Sequence, residues 1–228
     1  MAKVGVLGTG IVGRTLASKI AALGHAVVVA TRDPEALMAR TDPDARGLGP
    51  FSGWLGANPG VRLATFADAA AQGDVLFNAT SGEAALEALG AAGAANLAGK
   101  VLIDITNPLD FSKGMPPTLL VSNTDSMAEQ IQREFADAKV VKALNIVSAP
   151  VMVDPAAVGG GDHDMLICGN DDGAKAEVTR ILKEWFGWRS VIDLGDITGA
   201  RGLEMYLPLW VRVMMSQGSV AFNIKIVR

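Results

Sequence analysis

Two kinds of hydrophobic pattern alternate along most of the chain. Short β-branched or apolar runs at 3–7, 26–30, 61–64, 75–78, 101–105 and 140–144 are separated by alanine-rich stretches with helical spacing. That alternation predicts βαβ units and a mostly parallel sheet. The helix between the first two runs carries Val12, Leu16, Ile20 and Leu23 on one face and ends at Gly24, a residue suited to a left-handed cap. The stretch from Pro43 to Gly60 is rich in proline and glycine, too long for a structureless loop in a compact domain. A short helix there would place Pro50 in its first turn, Phe51, Trp54 and Leu55 on one face, and Asn58, Pro59 and Gly60 at its end. Ser126 followed by Glu129 is a capping box, and it opens a helix with Met127, Ile131 and Phe135 facing the core.

The pattern changes after Leu144. A glycine loop at 159–161 precedes a strand at 165–168, a helix from about 172 to 185 and a strand at 190–194. From 198 to 217 the spacing predicts one helix that is apolar almost all round. Such a helix must be covered on several sides, and a second copy of the chain is the natural cover. The chain therefore divides into residues 1–145 and a C-terminal extension, 146–228.

The first candidate chemistry lies between the first strand and its helix. Gly8, Thr9, Gly10, Ile11, Val12 and Gly13 form a G-x-G-x-x-G motif. Glycines also serve ordinary turns, but here the motif leaves a strand and opens a helix inside a βαβ unit. In that setting backbone N–H groups and the helix dipole can hold a pyrophosphate. The expected fold is thus α/β, a doubly wound Rossmann-type sheet with a small C-terminal extension ending in a buried helix. An acid at the end of the second strand would bind the ribose hydroxyls of NAD; this chain has Thr31 and Arg32, which suit the 2′-phosphate of NADP. The alternative makes Arg32 a solvated loop residue and Asp33 the ribose ligand, although Asp33 before Pro34 looks more like a helix N-cap. Asn78 to Gly82 and Thr106 to Pro108 follow the fourth and fifth strands, where ligands of such sheets bind. Thr80 or Ser81 could equally cap a helix, and Asn107 with Pro108 could simply turn the chain.

Composition narrows the partners. Of 228 residues half are hydrophobic and 19% charged, with a net charge of −4 and no charge blocks, so small molecules are expected rather than nucleic acid. The first residues lack the apolar stretch and cleavage site of a signal peptide, and Pro208 and Arg212 interrupt the most apolar stretch. A cytoplasmic protein is expected, and its lone Cys168 cannot form an internal disulfide. No metal is expected, because His163, between Asp162 and Asp164, lacks further ligands and His25 reads as structural. Neither histidine is placed as a general base. Lys139 and Lys142 flank a strand and are expected to be solvated or phosphate-facing.

Taken together, LGTGIVGRTLASKIAALGHAVVVATRDP, FNATSG, DITNPLD, VVKALNIV, CGNDDGAK, LGDITGARGLEMYLPLWVRVM and FNIKIVR resemble the NADPH-dependent reductases of the deazaflavin coenzyme F420. That family shares a module with the cytosolic domain of membrane metalloreductases, and the resemblance covers nearly the whole chain. It implies NADP held by Thr9, Ile11 and Val12 and by Thr31 and Arg32, with the nicotinamide near Ala79, Thr80 and Asn107. It further implies a deazaflavin or flavin ring stacked in a cleft walled by Asn145 to Ala149 and the C-terminal part. Archaeal members carry a histidine where this chain has Asn145. The implied activity is hydride transfer between NADP(H) and F420 or a similar acceptor, while a homodimer is expected from the apolar segment at 198–217. This suits a chain poor in acid–base residues, because a conjugated acceptor ring takes hydride without a protein acid. The alternatives are an NADPH-dependent flavin or ferric reductase and a non-catalytic NADPH-binding sensor.

Overall fold

The structure, a computed structural model, describes residues 1–44 and 47–227. Residues 45 and 46 of the proline-rich stretch, and Arg228 at the end of the closing motif and of the extension, lie outside the described residues. The chain runs through β1 (Lys3–Leu7), α1 (Ile11–Ala22), β2 (Ala26–Thr31), α2 (Pro34–Ala39), α3 (Phe51–Gly56), β3 (Val61–Thr65), α4 (Phe66–Gln72) and β4 (Val75–Asn78). It continues through α5 (Ala85–Ala92), α6 (Ala94–Leu97), β5 (Val101–Asp104), a two-residue pair β6 (Leu109–Asp110) and β7 (Thr118–Leu119), α7 (Met127–Glu134) and β8 (Lys139–Lys142). Last come α8 (Ala149–Val153), β9 (Asp164–Gly169), α9 (Asp172–Phe186), β10 (Ser190–Asp193), α10 (Ala200–Met205) and α11 (Leu207–Gln217).

Eight strands form one sheet in the order β10-β9-β8-β5-β4-β1-β2-β3. The six from β3 to β8 are parallel, which brings their carboxyl ends to one edge. β9 joins antiparallel to β8, and β10 lies parallel to β9. Residues after 145 thus extend the same sheet. Helices cover both faces, so strand interiors are buried almost without alternation: Val4, Val6, Val29, Phe77, Ile103 and Val141 all belong to one core.

Local signals explain most boundaries. Leu16 and Ile20 seal α1 against the sheet, whereas Leu23, its C-cap, is exposed, and Gly24 follows in the left-handed region at φ 85°. Pro50 is the N-cap of α3 rather than part of its first turn, with Phe51 buried behind it. At α7 the Ser126 hydroxyl accepts the Glu129 N–H at 3.2 Å, which is half of the capping box the sequence predicts; the Glu129 carboxylate takes a bond from the same hydroxyl at 2.7 Å instead of from the Ser126 N–H.

The segment 198–217 differs from the single helix expected. It is a 3₁₀ turn (Ile197–Gly199) followed by α10 and α11. Pro208 stands in the first turn of α11, has no N–H to donate, and divides the two helices. Within one chain α11 buries only Leu207 and Val211, while Leu209 and Met215 are at least half exposed. The tail from 219 to 227 forms no strand. It runs beside the start of β9, where Asp164 donates its N–H to the Ile224 carbonyl at 3.1 Å and Ser148 donates to Val220 at 2.9 Å.

Candidate functional site

The carboxyl edge of the parallel sheet carries the site. β1 is followed by Gly8, whose φ of 120° favours glycine, and a Cβ there would come within 2.6 Å of the Ala79 carbonyl beyond β4. Gly13 is the tightest point: its Cβ would lie 2.1 Å from the Gly8 carbonyl, so α1 can start this close to the turn only with glycine. Gly10, by contrast, faces open space and caps α1 without a side-chain hydrogen bond. An open approach to free N–H groups at a helix start is what a pyrophosphate needs, and the loop fits that group.

At the next strand, Asp33 accepts the Ala36 N–H at 2.9 Å and Pro34 opens α2. Asp33 is therefore the helix cap, and the side chain left at the strand end is Arg32. A cavity of about 160 Å³ brings together Gly8, Thr9, Thr31, Arg32 and Thr80. Across it Arg32 meets Glu87 of α5 at 3.3 Å, with both side chains mostly exposed. Such a pair contributes little and leaves the guanidinium available to a phosphate. Arg14, which sequence reasoning passed over, clamps the glycine loop: it donates to the Thr9 carbonyl at 3.0 Å and the Gly49 carbonyl at 2.8 Å and lies over the Phe51 ring. Its place directly after Gly13 was the available signal.

Deeper in the crevice, Thr80 donates to the Asn78 side chain at 2.7 Å; neither Thr80 nor Ser81 caps the following turn through its side chain. Gly82 packs against Asn107, where a Cβ would fall 2.4 Å from the carbonyl. Asn107 and Asn145 are bonded reciprocally. Asn107 donates to the Asn145 carbonyl and Asn145 to the Asn107 side-chain oxygen, each at 2.9 Å, and Asn145 also donates to Leu203 of α10 at 3.0 Å. Asn145 is buried and its Oδ1 has no protein partner. It thus locks the crevice floor to α10.

Lys142 corrects the expectation that it is solvated or phosphate-facing. Its ammonium is fully buried between Asp104 and Glu204, 2.8 Å from each, and also donates to the Thr106 carbonyl. Burial alone would lower its pKa, but the two carboxylates outweigh that and raise it. Lys139 is half exposed and pairs with Asp171 at 3.2 Å. The histidines are engaged elsewhere. His25 accepts the Ala2 N–H at 3.1 Å and packs on Trp185. His163 bonds the Pro155 carbonyl at 2.9 Å and Asn223 at 2.8 Å. Burial pushes the Cys168 thiol up to about 12, so it is inert as a nucleophile. Among the described residues no group of three or more His, Cys, Asp or Glu could hold a metal, and no helix is long and apolar enough to cross a membrane.

A parallel sheet with a glycine turn, a free helix start and a cation at the second strand defines a dinucleotide-binding protein suited to NADP. Comparison with known proteins is more specific. The family model for NADP oxidoreductase, coenzyme F420-dependent, matches residues 3–108. The F420-dependent NADP reductase of Methanocaldococcus jannaschii is 32% identical over 160 residues, 70% of each chain. Metalloreductase STEAP3 of Rattus norvegicus is 31% identical over 215 residues, 91% of this chain but only 38% of that protein. The crystal structure of a candidate F420-dependent NADP-reductase from Arthrobacter sp. FB24 is 56% identical, covers both chains completely and superposes with a TM-score of 0.94. The chain belongs to the F420-dependent NADP reductase family and is an NADP-dependent oxidoreductase.

Proposed function

We propose that the protein passes a hydride between NADPH and coenzyme F420 or a closely similar deazaflavin, acting as a cytoplasmic homodimer. The observation that carries this reading is the unbroken line from Arg32 through the glycine loop and Thr80 to Asn107, along the carboxyl ends of β2, β1, β4 and β5, in a chain of this family. In this reading Thr31 and Arg32 hold the 2′-phosphate. Gly8 to Gly13 cradle the pyrophosphate, with Thr9, Ile11 and Val12 in contact. Ala79, Thr80 and Asn107 seat the nicotinamide, and Asn145 braces that seat. NADPH supplies the hydride. Residues 1–145 form the nucleotide domain, and 146–228 supply the acceptor cleft and the dimer contacts.

The chain's own part is positioning and exclusion of water, and both histidines are engaged elsewhere. Deuterium at the transferred position of NADPH should therefore appear on the reduced deazaflavin, and its loss to solvent would refute direct transfer. Replacing His25 or His163 with asparagine should leave turnover within a few-fold, whereas a general acid or base is worth about 10²- to 10⁴-fold. Reduction of free flavin or ferric chelates with no response to the deazaflavin would keep the reductase and reject the acceptor.

The exposed face of α11 supports the dimer, and Trp210 stacks on Phe222 of the tail at 5.2 Å. Removing residues 219–228 should yield a monomer in sedimentation with impaired acceptor kinetics. A folded dimer with unchanged kinetics would overturn this role.

A further inference from the structure

Beneath the proposed nicotinamide seat lies an ionic cluster that the hydride-transfer reading does not use. Lys142 and Asp104 are wholly buried and Glu204 nearly so. All three ammonium protons have acceptors: Asp104, Glu204 and the Thr106 carbonyl. The groups facing Glu204 are donors throughout, namely Lys142 and the N–H groups of Met127, at 2.8 Å, and Ala128, at 3.2 Å. Asp104 accepts from Lys142, from Asn78 at 3.0 Å and from the Thr106 hydroxyl at 2.9 Å. Each acid thus faces hydrogen-bond donors. One ammonium against two carboxylates leaves a net charge of −1 sealed in the protein. The neighbouring ionisable groups do not cancel it. Arg201 and Glu129 neutralise each other at 2.6 Å, and the Cys168 thiol stays protonated. The start of α7 adds only a partial positive charge, already turned toward Glu204.

The cluster is wired directly to the seat. Asn78 joins Asp104 to Thr80, and the Thr106 carbonyl that Lys142 holds adjoins Asn107. A nicotinamide ring is neutral when reduced and positive when oxidised, so a fixed buried charge below it discriminates between the two forms. Resting on the placement of the ring by Ala79, Thr80 and Asn107, we propose that the Asp104–Lys142–Glu204 cluster favours NADP⁺ over NADPH and thereby eases departure of the hydride. The hydride carries two electrons and a proton to the deazaflavin acceptor, and the positive charge left on the ring is what the cluster offsets.

The test measures dissociation constants of NADP⁺, NADPH and adenosine 2′,5′-bisphosphate, which lacks the nicotinamide, with thermal melting to confirm folding. Glu204→Gln and Asp104→Asn each bring the cluster to zero. Either should raise the ratio of the NADP⁺ to the NADPH constant roughly three- to tenfold, the scale of a partly screened unit charge, and leave the bisphosphate unchanged. The double variant Lys142→Met, Glu204→Gln restores −1 and should return the ratio toward wild type, an outcome that a purely structural role does not produce. A ratio unmoved in a folded neutral variant overturns the proposal. So does a wild-type protein that binds NADPH more than about tenfold tighter than NADP⁺, a measurement that needs no variant. Asn107→Ala separates the two levels of inference. If it alters neither nicotinamide nucleotide, the seat is misplaced and the cluster proposal falls with it; if it does and the ratio is still unmoved, the cluster proposal alone falls.

Discussion

Replacing Lys142 with methionine is expected to destabilise the protein by about 3–5 kcal/mol, the cost of removing one partner from a buried ion pair. The side chains are close in length, so the loss comes from charge rather than from a cavity. Asp104 and Glu204 would face each other with no solvent and no cation between them. At roughly 2–4 °C per kcal/mol for a chain of this size, a melt should show the transition more than about 6 °C lower. The double variant with Glu204→Gln should recover part of that loss, because residues sharing one network are not additive. A single variant melting within a degree or two of wild type would mean that water or a proton compensates the carboxylates.

Lys142 also shows where the sequence stops being informative. In KVVK the apolar pair reads as the buried part of a strand and the lysines as its solvated flanks, which is right for Lys139 and wrong for Lys142. The partners that permit its burial lie 38 and 62 residues away, on β5 and α10, and no local pattern joins them. Features written in neighbouring residues were legible. The glycine loop, the Asp33 cap before Pro34, the Ser126–Glu129 box and the strand runs all depend on contacts within a few positions. The C-terminal segment was legible in part. Its apolar spacing indicates helix and Pro208 marks where it divides, but the contacts that hold α10, with Glu204 capping α7 and Arg201 paired to Glu129, join residues far apart in sequence. The antiparallel join of β9 to β8 likewise pairs Val141 with Gly169 and Lys142 with Cys168, contacts too distant in sequence for a strand pattern to encode.

Replacing Arg32 with glutamate is expected to weaken NADPH by roughly tenfold to a hundredfold, while NADH changes little. Losing a hydrogen bond to a charged group costs about 1.5–3 kcal/mol, and that range is the fold-change just given. Repulsion adds to it, since the new carboxylate would meet a phosphate. It would also stand beside Glu87, which now lies 3.3 Å from the guanidinium. Because that pair is mostly exposed, breaking it should cost almost nothing in stability, so the melt should stay near wild type while the affinity falls. Both nucleotides share the adenine, pyrophosphate and nicotinamide, and only NADPH presents the 2′-phosphate. Titrations with the two nucleotides therefore isolate one group on the ligand. Equal losses for both would remove Arg32 from the phosphate site and leave Arg40, which lines the neighbouring small cavity with Thr9 and Gly10, as the next cation to test.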